Sequence, residues 1–386
     1  MYMRKLYFLF FLCFVMVGSV YADPSKGVVK FKSNKYVPGS STVKGFRIEM
    51  LVKAESSHGS DDDTRAPKIG SDVTVEGGEL EQALPEGMAD QKFNLWVTAP
   101  EVIIHGNLVE LTVAKGEITE IDISGCPELY TLRVTENPLG SIDVSKNVKL
   151  GQLWASYCPN ITSIDVSKNT NLNSLSVQGC NLSSLNLHNL PLLTNVNAGE
   201  NPNLGHIDVT SLPMLEELWV NGNGMTSLDV SMNPKLKHLE CSRNRLRGLS
   251  VANNPDLVFL SVWDNDLNGN EMDALISTLV EETGFSTREF CVYNERSSHP
   301  NICTKAQVEA VSERGWQAKQ ALWTKFNNEE FFVWEDYEGA DDPTGIELPK
   351  DSNKLDVWYD LQGRRISKPS AAGLYIYNGK KVIVRP

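Results

Sequence analysis

The stretch KHLECSRNRLRGLSVANNPDL, from Lys237 to Leu257, decides the fold. Its apolar residues do not keep the 3.6-residue rhythm of a helix. They begin with a short alternation, Leu239-x-Cys241, pass through Asn244 and Leu246, and resume as Leu249-x-Val251 before Leu257. The same order recurs on both sides. First centres fall at Leu111, Leu132, Leu153, Leu175, Val196, Leu218, Leu239 and Leu260, with gaps of 21, 21, 22, 21, 22, 21 and 21 residues. Second centres follow half a period on, at Ile121, Ile142, Ile164, Leu185, Ile207, Leu228 and Leu249, usually within I/L-D-V-S. A fixed period of this length describes a chain built of stacked coils, each too small to cover its own apolar side.

The spacing has a physical basis. Alternate residues of a strand face opposite sides, so Leu218 and Val220 point inward while Trp219 points out. The next coil, about 4.8 Å away, covers the inward pair. Each coil must turn after its strand, which leaves backbone N–H and C=O groups inside the stack. Asn137, Asn201, Asn223, Asn244 and Asn265 are placed to bond them as a polar ladder, and Cys158 and Cys180 fill the same slot. A coil of 21 or 22 residues has little room for a helix, so the far side is expected to be extended or turning backbone.

These residues identify the repeat, L-x-x-L-x-V-x-x-(N or C)-x-L, as a leucine-rich repeat, and it resembles the short-repeat class of bacterial surface proteins such as the internalins. The expected fold is a leucine-rich-repeat solenoid: a curved right-handed coil of parallel β structure, mostly β with little helix. A β-rich N-terminal cap, a small α/β C-terminal cap and a short β tail domain complete it. The domains read as 1–22 signal peptide, 23–107 N-terminal cap, 108–267 solenoid, 268–328 C-terminal cap, 329–354 acidic linker and 355–386 tail.

Residues 1–22 have the layout of a secretory signal: Arg4 and Lys5, an apolar run from Leu6 to Val17, and a small residue at Ala22. The run is shorter than a membrane span, and the expected location is secreted or at the outer cell surface. Val28–Lys32, Phe46–Val52, Phe93–Val97 and Val102–His105 alternate like strands. Asp61, Asp62 and Asp63 lie in a Ser- and Gly-rich loop without calcium-loop spacing, and read as solvated. Beyond the repeats, Asn270–Glu282 and Thr304–Gly315 read as helices around a strand at Phe290–Tyr293. Glu329 to Glu347 holds eight acidic residues and no basic one. The end, with Tyr359-Asp-Leu-Gln-Gly-Arg364 and Gly373-Leu-Tyr375, is similar to the C-terminal sorting domain of type IX (Por) secretion in Bacteroidetes-type bacteria. That resemblance implies export across an outer membrane, often with cleavage and surface attachment; a plain β tail domain is the alternative.

The net charge is −13, and becomes −15 without Arg4 and Lys5; no Lys/Arg cluster stands out. Nucleic acid and anionic membrane are therefore poor partners, and no membrane insertion of the mature chain is expected. Cys126, Cys158, Cys180 and Cys241 fall on inward positions and read as core. Cys291 and Cys303 lie outside the ladder, placed either to pair or to stay free. The aspartates at one offset (Asp122, Asp143, Asp165, Asp208, Asp229) suggest a metal ladder, but Ser124, Ser145, Ser167 and Ser231 two residues on, with Lys146 and Lys168, offer local partners and make turn chemistry the better reading. His58, His105, His188, His206, His238 and His299 sit singly, and no GxSxG or HExxH occurs. No catalytic residue, metal site or cofactor is expected.

Function is expected on the outward strand face. Its candidate ligand-binding residues are Arg133, Trp154, Glu217, Trp219, His238, Glu240, Phe259 and Trp263, with Arg243 at the rim. Trp154 and Trp219 share one offset, three coils and roughly 14–15 Å apart. Outward aromatics need a cover, and aromatic anchors dominate interfaces. The family resemblance implies protein–protein recognition, often adhesion to host or neighbouring cells, with an extracellular protein as partner. A glycan stacking on the tryptophans is the alternative.

Overall fold

The computed structural model of the chain describes residues 27–36, 38, 44–53, 64–65, 69, 72–82, 92–281, 288–297, 300–326, 329–340, 358–359, 365–366, 373–377 and 380–384. The signal peptide expected at 1–22, the Asp61–Asp63 loop and the stretch 341–357 lie outside these residues. Two units compose the chain, Met1–Leu192 and Leu193–Pro386.

The first unit has strands β1 (Val28–Ser33), β2 (Lys44–Lys53), β3 (Thr64–Arg65), β4 (Thr74–Glu76), β5 (Gly78–Gln82), β6 (Lys92–Val97), β7 (Glu101–His105), β8 (Leu108–Thr112), β9 (Ile118–Asp122), β10 (Thr131–Arg133), β11 (Gln152–Trp154) and β12 (Ser174–Ser176). β8, β10, β11 and β12 stack in parallel, with Leu111, Leu132, Leu153 and Leu175 in register. The open edge of β8 is closed by β2, which runs antiparallel to it and continues into β6 and β5. A separate antiparallel sheet, β4-β7-β1-β9, adds a second layer to this end. An exposed first coil would leave its apolar side and its strand edge to solvent, and this cap removes both.

The second unit continues with β13 (Asn195–Asn197), β14 (Glu217–Trp219), β15 (His238–Glu240), β16 (Phe259–Ser261), helix α1 (Asn270–Ser277), β17 (Arg288–Asn294), helix α2 (Lys305–Glu313), β18 (Trp316–Phe326), β19 (Glu329–Asp336), β20 (Trp358–Tyr359), β21 (Arg365–Ile366), β22 (Gly373–Tyr377) and β23 (Lys380–Val384). β13 to β18 form one parallel series, and β19 pairs antiparallel with β18. The C-terminal cap thus extends the strand ladder, with α1 and α2 in its crossovers. Thr304 caps α2 through a reciprocal box with Gln307, and Gln307 Nε2 also donates to Asp273 Oδ1 of α1 at 2.7 Å. β20 to β23 make a four-stranded antiparallel sheet in the order β21-β20-β22-β23.

One coil shows how the core is made. In Lys237–Leu257, Leu239, Cys241, Asn244, Leu246, Leu249, Val251, Asn254 and Leu257 are all buried. The far side has no helix; Asn254 N–H reaches Val251 O, and Leu257 N–H reaches Asn254 O, so it turns twice in short loops. The expected asparagine ladder is present. Asn244 Oδ1 accepts from Asn223 N–H and Met225 N–H, and its Nδ2 donates to Val220, Cys241 and Ser242 carbonyls. Cys158 and Cys180 each donate Sγ–H to a carbonyl of the preceding coil at 3.2 Å, as asparagine does there. Asn301 extends the ladder into the cap, its Oδ1 accepting from Asn265 N–H.

A second ladder runs along the far side. Asn147, Asn169, Asn233 and Asn254 are fully buried, and each Nδ2 donates to two carbonyls of the preceding coil. The residue before each strand-side ladder position is left-handed: Glu136, Tyr157 and Gly179 in the first unit, Glu200, Gly222, Arg243 and Asp264 in the second. The chain turns there, and the positive φ directs the following side chain into the coil.

Two expectations need correction. Glu329–Asp336, read as acidic linker, is strand β19, paired residue by residue with β18 from Phe326↔Glu329 to Lys319↔Asp336. The β-forming run Phe331-Phe332-Val333-Trp334 outweighs the charges at both ends. Trp263, expected outward, is only 7% exposed. β16 ends at Ser261, but Val262 N–H still donates to Cys291 O of β17, so the ladder does not end there as the repeat pattern suggests. Cys291 and Cys303 are separate, buried thiols.

Candidate ligand-binding face

The strand registers lay the outward residues out in rows. In the second unit one row runs Asn195, Glu217, His238, Phe259, Glu289. Beside it runs Asn197, Trp219, Glu240, Ser261, Cys291, Lys319. Leu218, Leu239 and Leu260 lie between them on the opposite side of the sheet, fully buried.

Of the residues named from sequence, Glu217, Trp219, His238, Glu240 and Phe259 share this surface, each half-buried. Glu217 accepts from Asn195 Nδ2 and stands 3.9 Å from His238 Nδ1. The His238 and Phe259 rings are 6.1 Å apart, and Trp334 of β19 meets Phe259 edge-on at 6.2 Å. The aromatic character expected at this end is therefore shared with the cap. Tyr293 and Tyr337 stack at 4.9 Å.

Glu240 differs from Glu217. Burial pushes its carboxyl up from the ordinary value, against the opposing pull of Ser242, Ser261 and Arg243. Its Oε1 accepts from Ser242 N–H at 3.0 Å. Ser261 and Trp263 are both buried, so on β16 the accessible side chain of the face is Phe259.

A rim network was not anticipated. Arg243 grips Glu200 with both terminal nitrogens, at 2.6 and 3.2 Å, across two coils, and Asn221 Nδ2 between them donates to the same carboxylate. The signal was available: Glu200 and Arg243 occupy one repeat offset.

In the first unit, the rows are Glu110, Thr131, Gln152, Ser174 and Thr112, Arg133, Trp154, Ser176. Arg133 and Trp154, both named from sequence, are in contact, with the guanidinium carbon 3.6 Å from the indole centroid. Trp154 Nε1–H donates to Ser174 Oγ at 3.0 Å. Tyr130, 45% exposed, lies over Gly151 and accepts from Asn173 Nδ2.

The aspartate series is occupied by its own backbone. Asp122, Asp143, Asp165, Asp208 and Asp229 each accept the N–H two residues on at 2.9 Å, and Asn186 does the same for His188. Among the described residues no group of three or more His, Cys, Asp or Glu is placed to hold a metal. No helix among them is long and apolar enough to cross a membrane.

The fold and this face define a leucine-rich-repeat solenoid with an outward strand surface of mixed aromatic and charged character. No protein-family model matches the chain, and no curated protein does. Among solved structures, the functional domain of InlJ from Listeria monocytogenes, which includes a cysteine ladder, is similar at 23% identity and a TM-score of 0.42. That match covers 56% of this chain, which spans 50% of the InlJ chain. An internalin (inlF) of the same organism is 19% identical over 54% of this chain and 74% of its own, with a TM-score of 0.30. Human trophoblast glycoprotein is 17% identical over 54% and 84%, with a TM-score of 0.37.

Proposed function

We propose that this chain is a secreted, surface-displayed binding protein whose outward strand face recognises another protein, in adhesion to host or neighbouring cells. The observation that supports it best is the row Glu217, His238, Phe259 with Trp219 beside it. These side chains are half-exposed on strands whose opposite side is fully buried, so the backbone under them is rigid. Rigid aromatics flanked by charge suit a protein interface. The series Asp122 to Asp229 is engaged in its own turns and is not part of the proposed interface. The leader at 1–22 and the type IX-like tail are the basis for secretion and surface display.

The test is capture. The full chain is immobilised and exposed to extracellular proteins and to glycans, beside a Trp219→Ala form with unchanged melting. Protein capture that weakens at least about tenfold in the variant supports the reading. Capture that is equal in both forms, or that glycans alone compete away, contradicts it.

A further inference from the structure

Arg133 is an unusual member of the first unit's face. Its guanidinium lies over the Trp154 ring, and that ring is itself fixed by the Nε1–H bond to Ser174. The base is further held because β11 sits between β10 and β12 in unbroken register. Stacking leaves the in-plane N–H donors of a guanidinium unused, and those donors are matched in geometry to a planar anion. Among the described residues they have no hydrogen-bond or ion-pair partner, and Nε is buried without one. Strand neighbours Thr112, Thr131, Gln152, Ser174 and Ser176 are uncharged. Nearby Glu110 is half-buried, and burial shifts its carboxyl upward.

We infer that Arg133, held on Trp154, anchors a carboxylate of the bound protein, an aspartate or glutamate side chain in an acidic segment. The inference rests on the protein-binding reading above and names the partner's chemistry on a different unit. A guanidinium also suits phosphate, but Glu110 and Glu49 both act on Arg133 and oppose a second negative charge more than a first. A salt bridge to a pre-stacked arginine loses little side-chain freedom on forming.

The experiment follows the Arg133 Nε–H resonance in the full chain carrying isotope-labelled arginine, assigned by its absence in Arg133→Lys. The probes are a blocked glutamate-containing peptide, the same peptide with glutamine, and inorganic phosphate. A saturable shift with the glutamate peptide, at least about tenfold weaker with glutamine, is expected. Trp154→Phe, which removes the Ser174 bond but keeps a ring, weakens the response. No shift, or equal shifts with both peptides, overturns the inference; a stronger response to phosphate overturns the choice of carboxylate. The capture test is separate. If Trp219→Ala leaves protein capture intact while Arg133 answers the glutamate peptide, the anchor stands and the reading of the second unit falls. If capture depends on Trp219 and Arg133 is silent, the anchor falls alone.

Discussion

Asn244 Oδ1 accepts the backbone N–H of Asn223 at 3.1 Å, one coil away, and that of Met225 at 3.0 Å. The bond joins two ladder residues through one side chain and one main chain, so each coil's turn is completed by its neighbour. Coils that depend on each other in this way fold together.

Replacing Asn244 by Ala removes five hydrogen bonds to buried backbone groups. We expect a loss of about 3 kcal/mol in denaturant unfolding, with a single transition retained. Asn244→Cys is expected to lose roughly half as much, because Cys158 and Cys180 show that a thiol keeps the donor side of the bond. Equal losses for both variants contradict this account.

The left-handed turns separate backbone strain from packing. Gly222 has φ +70° with no atom nearer than 3.5 Å to an added Cβ, so Gly222→Ala should cost about 1 kcal/mol from conformation alone. Gly179 has φ +65°, but its Cβ would meet the Tyr157 ring at 2.5 Å. Gly179→Ala is therefore expected to lower the melting temperature further than Gly222→Ala, and the added loss should vanish in a Tyr157→Ala background.

Acid should loosen the far-side turns. Asp143 and Asp165 are held below the ordinary carboxylate range, chiefly by the backbone N–H groups of Ser145 and Ser167; Asp122 and Asp229 are lowered chiefly by side-chain bonds from Ser124 and Ser231. A carboxyl lowered in the folded state contributes stability above its unfolded value, and that contribution is lost as pH falls through the folded value. Thermal stability should be level above about pH 5 and decline below about pH 4. Asp143→Asn, which copies Asn186, should fold and show a shallower decline.

Glu240 has the opposite sign. Its carboxyl is raised by burial, so the charged form opposes folding as pH rises through its unfolded value toward its folded one. Glu240→Gln keeps an acceptor for Ser242 N–H. We expect it to raise stability at pH 7 by on the order of 1 kcal/mol, with the difference shrinking below about pH 4. A variant less stable than the parent at pH 7 contradicts this.

How much of this was legible in the residues depends on range. Leu218 and Val220 alternate, and the period of the repeats is regular, so the inward positions and the strand-side asparagines follow from local spacing. The left-handed slot was less visible, since Gly179 and Gly222 mark it in two coils while Glu136, Tyr157, Glu200, Arg243 and Asp264 hide it elsewhere. The second ladder was missed because Cys126, Leu190 and Leu212 interrupt Asn147, Asn169, Asn233 and Asn254. On the candidate face, the alternation placed Arg133, Trp154, Glu217, Trp219 and His238 outward. It could not show that Trp263 is buried, nor that Trp334 meets Phe259, because β19 is remote in sequence from β16.

Hydrogen exchange of the full chain with and without its captured protein tests the central claim most directly. The account predicts slowed exchange at residues 217–221 and 238–243, and unchanged exchange at the turns 229–233 and 250–254 on the far side. Protection confined to those turns, or to residues outside the strand face, would contradict it.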